Sequence, residues 1–419
     1  MSVLVELKKR GLLQDCTETE ALERLMSEEQ ITFYCGYDPT AESLTVGNLL
    51  PMIVMRHFER AGHKPLFLLG TATGMIGDPS GKSEERVLLS EEIIERNVNS
   101  FEKQWLRFEA SCKSFDKNHS VPTKEAQSEI VRNGDWGKEL RFIDFLRDVG
   151  KHFSVNGMIA KDSVKSRLQN REQGISFTEF SYMLLQAYDF YHLYEHKNCK
   201  LQLGGSDQWG NITAGIDLIR RKHSSSAQAF GVTIPLLLTS SGTKFGKTEH
   251  GVVWLDAEKT SPYQFYQFWL NTPDADLIRF LKLFTFLDLE EIASLEREFV
   301  ASPESRSVQK RLAKEVTSLI HGEEILNRVI KVSEILFGGS VADLDRSTLD
   351  LLAREVPSSS IPADKLSGAG INIMDLITQS SLADSKSAAK RLIENGGLYL
   401  NNEKVTSTTW SITIEDTID

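Results

Sequence analysis

The chain has no apolar run long enough to span a bilayer, which sets aside a helical integral membrane protein. Cysteine is scarce. Four residues (Cys16, Cys35, Cys112 and Cys199) are scattered through 419 positions and form no CxxC pair, so neither a zinc site nor a disulfide framework is indicated. The histidines are read as offering no metal-binding pair, and no Ser/His/Asp or Cys/His arrangement stands out for covalent catalysis. Positive charge is in deficit: 48 Lys and Arg against 59 Asp and Glu give a net charge of −11. That argues against a protein that coats nucleic acid non-specifically, but not against one that grips a structured RNA through local basic patches. The N-terminus lacks an apolar signal segment, and Glu6 and Asp15 accompany Lys8, Lys9 and Arg10, so a cytoplasmic location is expected. Internal repeats and low-complexity tracts are also missing. At 40% hydrophobic, the chain can bury a large core, divided over two or three domains.

Against those absences, one stretch stands out. Phe180-Ser-Tyr-Met-Leu-Leu-Gln-Ala-Tyr-Asp-Phe190 has the pattern of a helix, with Tyr182, Gln186 and Asp189 at i, i+4 and i+7 on one face. A helix edge facing water explains such a stripe in most proteins. The following segment favours a pocket instead. Leu201-Gln-Leu-Gly-Gly-Ser-Asp-Gln-Trp-Gly-Asn211 reads as a strand, a glycine turn and a helix start, the arrangement at which doubly wound sheets bind nucleotides.

The rest of the first half fits such a sheet. Thr17-x-x-Glu20 predicts a capping box for a helix running towards Glu29. Buried strands are expected at Ile31-Thr-Phe-Tyr-Cys-Gly36, Pro65-Leu-Phe-Leu-Leu-Gly70, 199–204 and 230–238, with helices at about 46–61 and 208–221. Residues from about 83 to 150 are helical and charged, and interrupt the rhythm as an insertion would. Beyond Leu255 the pattern is helical to about Leu336, and residues 356–370 read as a linker. A compact tail follows: a helix at 385–394, a strand at 398–400 and an Asn401-Asn402 turn.

Glycine-bearing turns at several strand ends open onto one crevice if the strands share a sheet. The loop Gly242-Thr-Lys-Phe-Gly-Lys-Thr248 is either a solvated hairpin or a mobile arm whose Lys244 and Lys247 close on a polyphosphate. Lys82 and Arg86 are further candidates for a leaving polyphosphate. Asp38, Asp78, Asp189 and Asp207 adjoin the turns, where carboxylates either cap turns or bind amino, ribose and phenol groups. Positioning and electrostatics, rather than a covalent intermediate, suit this set.

In this order, Tyr34-Cys-Gly-Tyr-Asp-Pro-Thr40, Gly77-Asp-Pro-Ser-Gly81, the Tyr182/Gln186/Asp189 helix, Gly204-Gly-Ser-Asp-Gln-Trp209 and Lys244-Phe-Gly-Lys-Thr248 resemble the bacterial-type tyrosyl-tRNA synthetases of class I, over residues 1 to about 415. The resemblance implies an α/β fold: a Rossmann-type parallel-sheet catalytic domain at 1–250 with a helical insertion at about 83–150, and an all-α anticodon-side domain at 251–352. A linker at 353–370 and a small α+β RNA-binding tail at 371–419, of the ribosomal-protein S-four type and apparently shortened, complete it. The implied activity is tyrosine–tRNA ligation. Tyrosine and ATP give tyrosyl-adenylate and pyrophosphate by in-line attack on the α-phosphate, and the tyrosyl group passes to the 3′ end of tRNA. ATP is a substrate, Mg²⁺ is expected on its phosphates, and no protein-bound metal site is expected.

By the same resemblance, Tyr34 and Asp189 bond the substrate phenol, and Asp78, Tyr182 and Gln186 surround its amino group. Gln208 lies beside the carboxylate and α-phosphate. Asp38 and Asn133 are further pocket positions. Cys35, Gly36, Gly47, Gly205 and Asp207 lie along the nucleotide. Thr40, Thr45, Asn48, Lys82, Arg86, Lys244, Lys247 and Thr248 serve the phosphates. Rejecting phenylalanine requires buried polar groups that go unpaired when the hydroxyl is missing, an argument for which this enzyme class is the usual illustration. Thr45-Val-Gly-Asn48 departs from the family's HIGH motif. Threonine is too short to reach a terminal phosphate as an imidazole does, and losing one such donor costs about 10²–10³ in rate. A slowed activation step is therefore expected, offset in part by Thr40, Lys244 and Lys247.

Lys386, Lys390 and Arg391 form the tail's candidate RNA face, and Arg306, Lys310, Arg311 and Lys314 a second on the helical domain. By the same resemblance a homodimer is expected, with the charged insertion and residues 142–158 at its interface. Two other readings compete: a regulatory RNA-binding protein without efficient chemistry, and a synthetase for tryptophan. The lysine loop together with a tyrosine pocket disfavours the first, and Tyr34 with Asp189 suits a phenol better than an indole.

Overall fold

The computed structural model describes residues 2–80, 88–118, 126–161, 164, 165, 168, 175–243, 245–248, 251–341 and 344–417. They divide into two units, residues 1–261 with 268–320, and 262–267 with 321–419.

The first unit is built on a six-stranded sheet. In chain order its main elements are α1 (Val3–Arg10), β1 (Asp15–Cys16), α2 (Thr19–Glu28), β2 (Thr32–Tyr37), α3 (Val46–Arg60), β3 (Lys64–Leu69), α4 (Glu91–Asn118) and β4 (Glu129–Arg132). Three short helices follow, α5 (Gly134–Gly137), α6 (Phe142–Asp148) and α7 (Val155–Ile159). Then come α8 (Phe177–Lys197), β5 (Cys199–Gly205), α9 (Trp209–Lys222) and β6 (Phe230–Ile234). The strand order is β1-β6-β5-β2-β3-β4, parallel except for β1. β2, β3 and β6 are near-continuous apolar runs because both faces of the sheet are covered. From β2 the chain proceeds outward through β3 and β4, whereas β5 and β6 lie on the other side of β2. The switch point is thus between β2 and β5, where the carboxyl ends of parallel strands leave a crevice.

Three local expectations change. The segment read as an insertion supplies β4 to the sheet, and α4 is its crossover helix. Most charges of α4 face outward, apart from the buried Glu109 and Asp116, the latter paired with Arg56 and Arg60 of α3, while Ile94, Val98, Phe101, Trp105, Phe108 and Cys112 recur at helical spacing and are buried. Trp105 stacks on Phe67 of β3, with ring centroids 4.5 Å apart. Thr17 does not cap α2, whose N-cap position is Glu18. Its hydroxyl instead accepts from the Gly231 amide of β6 at 3.0 Å, because β1 draws this stretch onto the sheet edge. The strand expected over 230–238 ends at Ile234.

Beyond the sheet lie β7 (Lys247–Thr248) and β8 (Gly251–Val252), a short hairpin. The helices α10 (Pro262–Leu270), α11 (Asp274–Phe284), α12 (Leu289–Ala301), α13 (Ser307–His321) and α14 (Glu323–Leu336) follow, as the helical pattern predicts, and then α15 (Arg346–Glu355). Arg10 of α1 is buried. Its guanidinium donates to the carbonyls of Lys282 at 3.3 Å, Thr285 at 3.1 Å and Leu287 at 2.7 Å, the end of α11 and the turn after it.

In the second unit, the tail contains β9 (Ile371–Asn372), α16 (Ile373–Gln379), α17 (Lys386–Glu394), β10 (Tyr399–Leu400), β11 (Glu403–Lys404) and β12 (Ser411–Ile412). β9 pairs with β12 and β10 with β11, around a core that includes Ile373, Ile377, Ile393 and Val405. Asn401 and Asn402 both take positive φ, 49° and 68°, as a tight hairpin turn requires. α16 and the β9–β12 pairing were not foreseen. All four cysteines are free thiols. Among the described residues no helix is long and apolar enough to cross a membrane.

Candidate active site

The switch-point crevice holds a cavity of about 470 Å³. Fifteen of the residues singled out in the sequence line it: Tyr34, Cys35 and Gly36 in β2, with Asp38 and Thr40 after it; Thr45, Gly47 and Asn48 at the start of α3; Asp78; Tyr182, Gln186 and Asp189 on α8; and Gly205 at the end of β5, with Asp207 and Gln208 after it. Lys82, Arg86 and Lys244 lie outside the described residues, as do the side chains of Lys247 and Thr248, whose backbone forms β7.

One end of the cavity is a closed hydrogen-bond lattice. The Tyr34 hydroxyl is fully buried and has no hydrogen-bond partner among the described residues, an arrangement that costs free energy unless a ligand completes it. Asp189 is equally buried. Its Oδ1 accepts from Trp136 Nε1 at 2.7 Å and its Oδ2 from Asn133 Nδ2 at 2.9 Å. Burial pushes the Asp189 carboxyl up to about 7, an effect that the two donors reduce and nearby Asp38 increases. Asn133 is fixed in turn, accepting from the Ala72 amide at 2.8 Å and donating to Thr73 Oγ1 at 2.9 Å. Asp38 accepts from the Thr73 and Tyr182 hydroxyls, both at 2.7 Å. Gly70 is required here, since a Cβ at that position would lie 2.0 Å from Asp38 Oδ1. Burial and Asp38 hold the Tyr182 phenol well above its ordinary value, so it remains a donor.

Beside this lattice, amides and a carboxylate face the same space. Gln208 Nε2 donates to Asp78 Oδ2, and Asp78 Oδ1 accepts from the Ser80 amide at 2.9 Å. Asn211, buried at the start of α9, donates to Gln186 Oε1 at 3.0 Å and Gln208 Oε1 at 3.1 Å. An acceptor-lined recess of this kind suits an ammonium group. Cys35 is buried and its thiol is pushed up to about 12, so it is no nucleophile at neutral pH.

The opposite end is built from backbone. The Thr45 amide and hydroxyl both donate to Asn48 Oδ1 at 2.9 Å, which fixes the orientation of that side-chain amide and leaves Nδ2 as its remaining donor group. Val253, directly after β8, docks onto this helix start: the Val46 amide donates to Val253 O at 3.1 Å, and the Val253 amide to Gly246 O at 3.0 Å. Gly246 has φ +81°, and a Cβ there would lie 2.6 Å from Val46 Cγ2. Phe245 anchors the loop in an aromatic cage, with ring centroids 4.9 Å from Phe280 and 5.1 Å from Phe284.

Sequence reasoning passed over Trp136, Asn211, Gln202 and Thr73. Gln202 is buried on β5, lines the cavity and has an Oε1 without a partner among the described residues. A polar residue inside an otherwise apolar central strand was the available signal. His192 and His196, four apart on α8, lie with ring centroids 4.3 Å apart, a pairing the reading of histidine spacing overlooked.

The basic candidates lie outside this cavity's lining. Lys386, Lys390 and Arg391 are exposed on α17, where Lys386 pairs with Asp375 at 2.5 Å and Lys390 with Glu394 at 3.7 Å. Arg306 donates to the Leu270 carbonyl at 2.7 Å, and Arg311 pairs with Glu291 and Glu315. Lys310 and Lys314 are exposed beside them.

Comparison with known proteins agrees with this geometry. Residues 26–338 match the family described as tRNA synthetases class I (W and Y), and residues 352–419 the tyrosine–tRNA ligase SYY-like C-terminal domain. The chain is 51% identical over 405 residues to a tyrosine–tRNA ligase of Geobacillus stearothermophilus, covering 97% of this chain and 92% of that one. It is 47% identical over 418 residues to tyrosine–tRNA ligase 1 of Bacillus subtilis, covering 100% and 95%. Among solved structures, a C-terminally truncated mitochondrial tyrosyl-tRNA synthetase of Aspergillus nidulans superposes with a TM-score of 0.73 at 33% identity, over 80% of this chain and 94% of that one.

Proposed function

This chain belongs to the tyrosine branch of the class I tRNA synthetases, and on that premise we propose how its residues divide the work. It charges tRNA with tyrosine. The tyrosine carboxylate attacks the α-phosphate of ATP in line, pyrophosphate leaves, and the terminal ribose of tRNA then takes the tyrosyl group from the adenylate. The observation that carries the reading is the buried pair Tyr34 and Asp189, with an unpartnered hydroxyl beside a carboxylate that two donors hold in place. A substrate phenol donates to Asp189 and accepts from Tyr34. Phenylalanine leaves both unmatched.

Asp78, Tyr182 and Gln186 hold the ammonium group, and Gln208 the carboxylate end. Asp38 acts through its bonds to Tyr182 and Thr73. Cys35, Gly36, Gly47, Gly205 and Asp207 bound the adenosine side, where glycines let the backbone approach the ribose. Thr40, Thr45, Asn48, Lys82, Arg86, Lys244, Lys247 and Thr248 serve the leaving phosphates. Within that group Thr45 works through Asn48: by occupying Oδ1 it leaves Nδ2 to meet a phosphate oxygen. Compared with an imidazole at position 45, the step is slow, so Thr45→His raises the single-turnover rate of adenylate formation. Mg²⁺ would enter with ATP as part of the substrate and would offset charge on its phosphates.

Charging takes place in the cytoplasm. Domain boundaries at 250, 352 and 370 separate the catalytic body, the anticodon-side helices and the RNA-binding tail, with Lys386, Lys390 and Arg391 facing RNA. The subunit works as a homodimer through α6, α7 and the start of α8, where Phe142, Ile143, Val155 and Phe177 are exposed together with Leu146 and Ile159. Tyrosine-dependent ATP–pyrophosphate exchange, with phenylalanine and tryptophan as controls, tests the reading. Exchange with tyrosine alone is expected, and exchange with tryptophan alone would overturn it.

A further inference from the structure

Trp136 completes the phenol end, yet nothing in its own element fixes its ring. It stands on α5, a single turn of four residues, and the indole is only partly buried. The ring packs against a core cluster shared by several elements, and its stacking and hydrogen-bond partners come from α8. The His192 ring lies parallel to the indole, with centroids 4.3 Å apart and an interplanar angle of 14°. Three residues earlier on the same helix face, Asp189 accepts the indole N–H at 2.7 Å. The stack and the hydrogen bond therefore fix the indole from two points on one helix. His192 is itself backed by His196 at 4.3 Å and approached by Tyr188 at 6.2 Å. Burial, with His196 and Lys197 adding to it, pushes the His192 imidazole down to about 4, so two neutral rings meet.

Resting on the tyrosine reading of the site, we propose that His192 is a positioning residue for tyrosine selection: its ring holds Trp136 in the plane from which the indole N–H reaches Asp189. Without the stack the indole turns about its side-chain torsions and the carboxylate keeps only the Asn133 donor. A buried carboxylate with fewer donors ionises less readily and sits less firmly, so it accepts the substrate hydroxyl less well. Phenylalanine makes no bond to Asp189 and loses nothing. His192 thus tunes the ratio between the two amino acids rather than overall turnover.

The test uses the full chain, with ATP–pyrophosphate exchange driven by tyrosine or phenylalanine. His192→Ala is expected to lower kcat/KM for tyrosine between about twofold and tenfold, mostly through KM, while KM for ATP and the phenylalanine value hold. His192→Phe, which restores a flat ring, is expected to recover most of the loss. Trp136→Phe keeps a ring but removes the N–H, and is expected to cost more than His192→Ala. If His192 acts through that N–H, the His192→Ala, Trp136→Phe double variant is no worse than Trp136→Phe alone. An equal loss for both amino acids, or a full further loss in the double variant, overturns the proposal. Should His192→Ala fail to fold, His192→Leu, similar in bulk but without a flat face, gives the same comparison. Calorimetric binding of tyrosine against phenylalanine reads the ratio without turnover. An unmodified chain inactive in exchange then counts against the reaction, while an unchanged binding ratio in the variant counts against His192.

Discussion

The two ends of the cavity are held by different means. At the end proposed for the phenol, side chains from four stretches of the chain close a lattice through Asp38, Thr73, Asn133, Trp136, Tyr182 and Asp189. At the end proposed for the phosphates, a helix start and a glycine-bearing loop touch through backbone. Selecting tyrosine over phenylalanine depends on groups that cannot relax to suit the wrong ligand, so rigidity there serves specificity. Stabilising a departing polyphosphate depends on groups that match a charge present only transiently, which suits a loop that engages late.

The largest expected effect breaks the rigid end. Asp189→Asn keeps the size but removes the charge, and the side-chain amide then faces the donors Asn133 and Trp136 with one donor of its own. Tyrosine kcat/KM is expected to fall by roughly 10² while KM for ATP hardly moves, since hydrogen bonds to charged groups contribute about 1.5–3 kcal/mol and a buried mismatch adds to that. Equal damage to both KM values would show that the ends are not separate. The same substitution is expected to flatten the fall of the thermal midpoint with rising pH. The folded Asp189 pKa, about 7, lies above the ordinary 3.8, so the native state is favoured by protonation and loses stability as pH rises between those values.

Next, Gly246→Ala acts on the other end alone. Its φ of +81° and the 2.6 Å approach to Val46 make a methyl costly, on the order of 1–3 kcal/mol. Single-turnover adenylate formation is expected to slow about tenfold or more, with tyrosine binding unchanged by calorimetry. A titration sharpens the comparison further. On the proposed role of Asp189, whose ionised form is the stronger acceptor for the phenol hydroxyl, tyrosine binding is expected to weaken as pH falls through about 7, and ATP binding is not expected to follow that curve. The smallest effect lies outside the site. Thr17→Val removes the acceptor for the Gly231 amide and is expected to cost about 1 kcal/mol in urea unfolding, with neither KM affected.

The same division explains what the sequence disclosed. β2, β3 and β5 are buried on both sides, so their apolar runs are plain, and the polar residues at their ends stand out against them. β4 was hidden because Glu129 and Arg132 are half-exposed at the sheet edge and blur the pattern. Trp136 and Asn133 lie directly after that strand, so missing it left Trp136 unplaced, and only resemblance pointed to Asn133. Thr17 shows the limit of a local motif. Its spacing to Glu20 fits a helix cap, but pairing of β1 with a strand more than two hundred residues away decides its geometry. Asn211 was in view as the end of a motif, yet its role as joint donor to Gln186 and Gln208 depends on the α8–α9 packing, which spacing alone does not reveal.

The clasp of Arg10 has a consequence for the chain as it is made. Synthesis runs from the N-terminus, and the carbonyls that receive this guanidinium belong to residues 282, 285 and 287. β1, at residues 15 and 16, likewise waits for Thr233 and Val232 of β6. At about 5–20 residues per second, the Arg10 guanidinium spends roughly 15–60 s without these three carbonyls. The nascent sheet therefore grows outward from β2 before β1 can pair with β6, and the edge that β1 forms closes late.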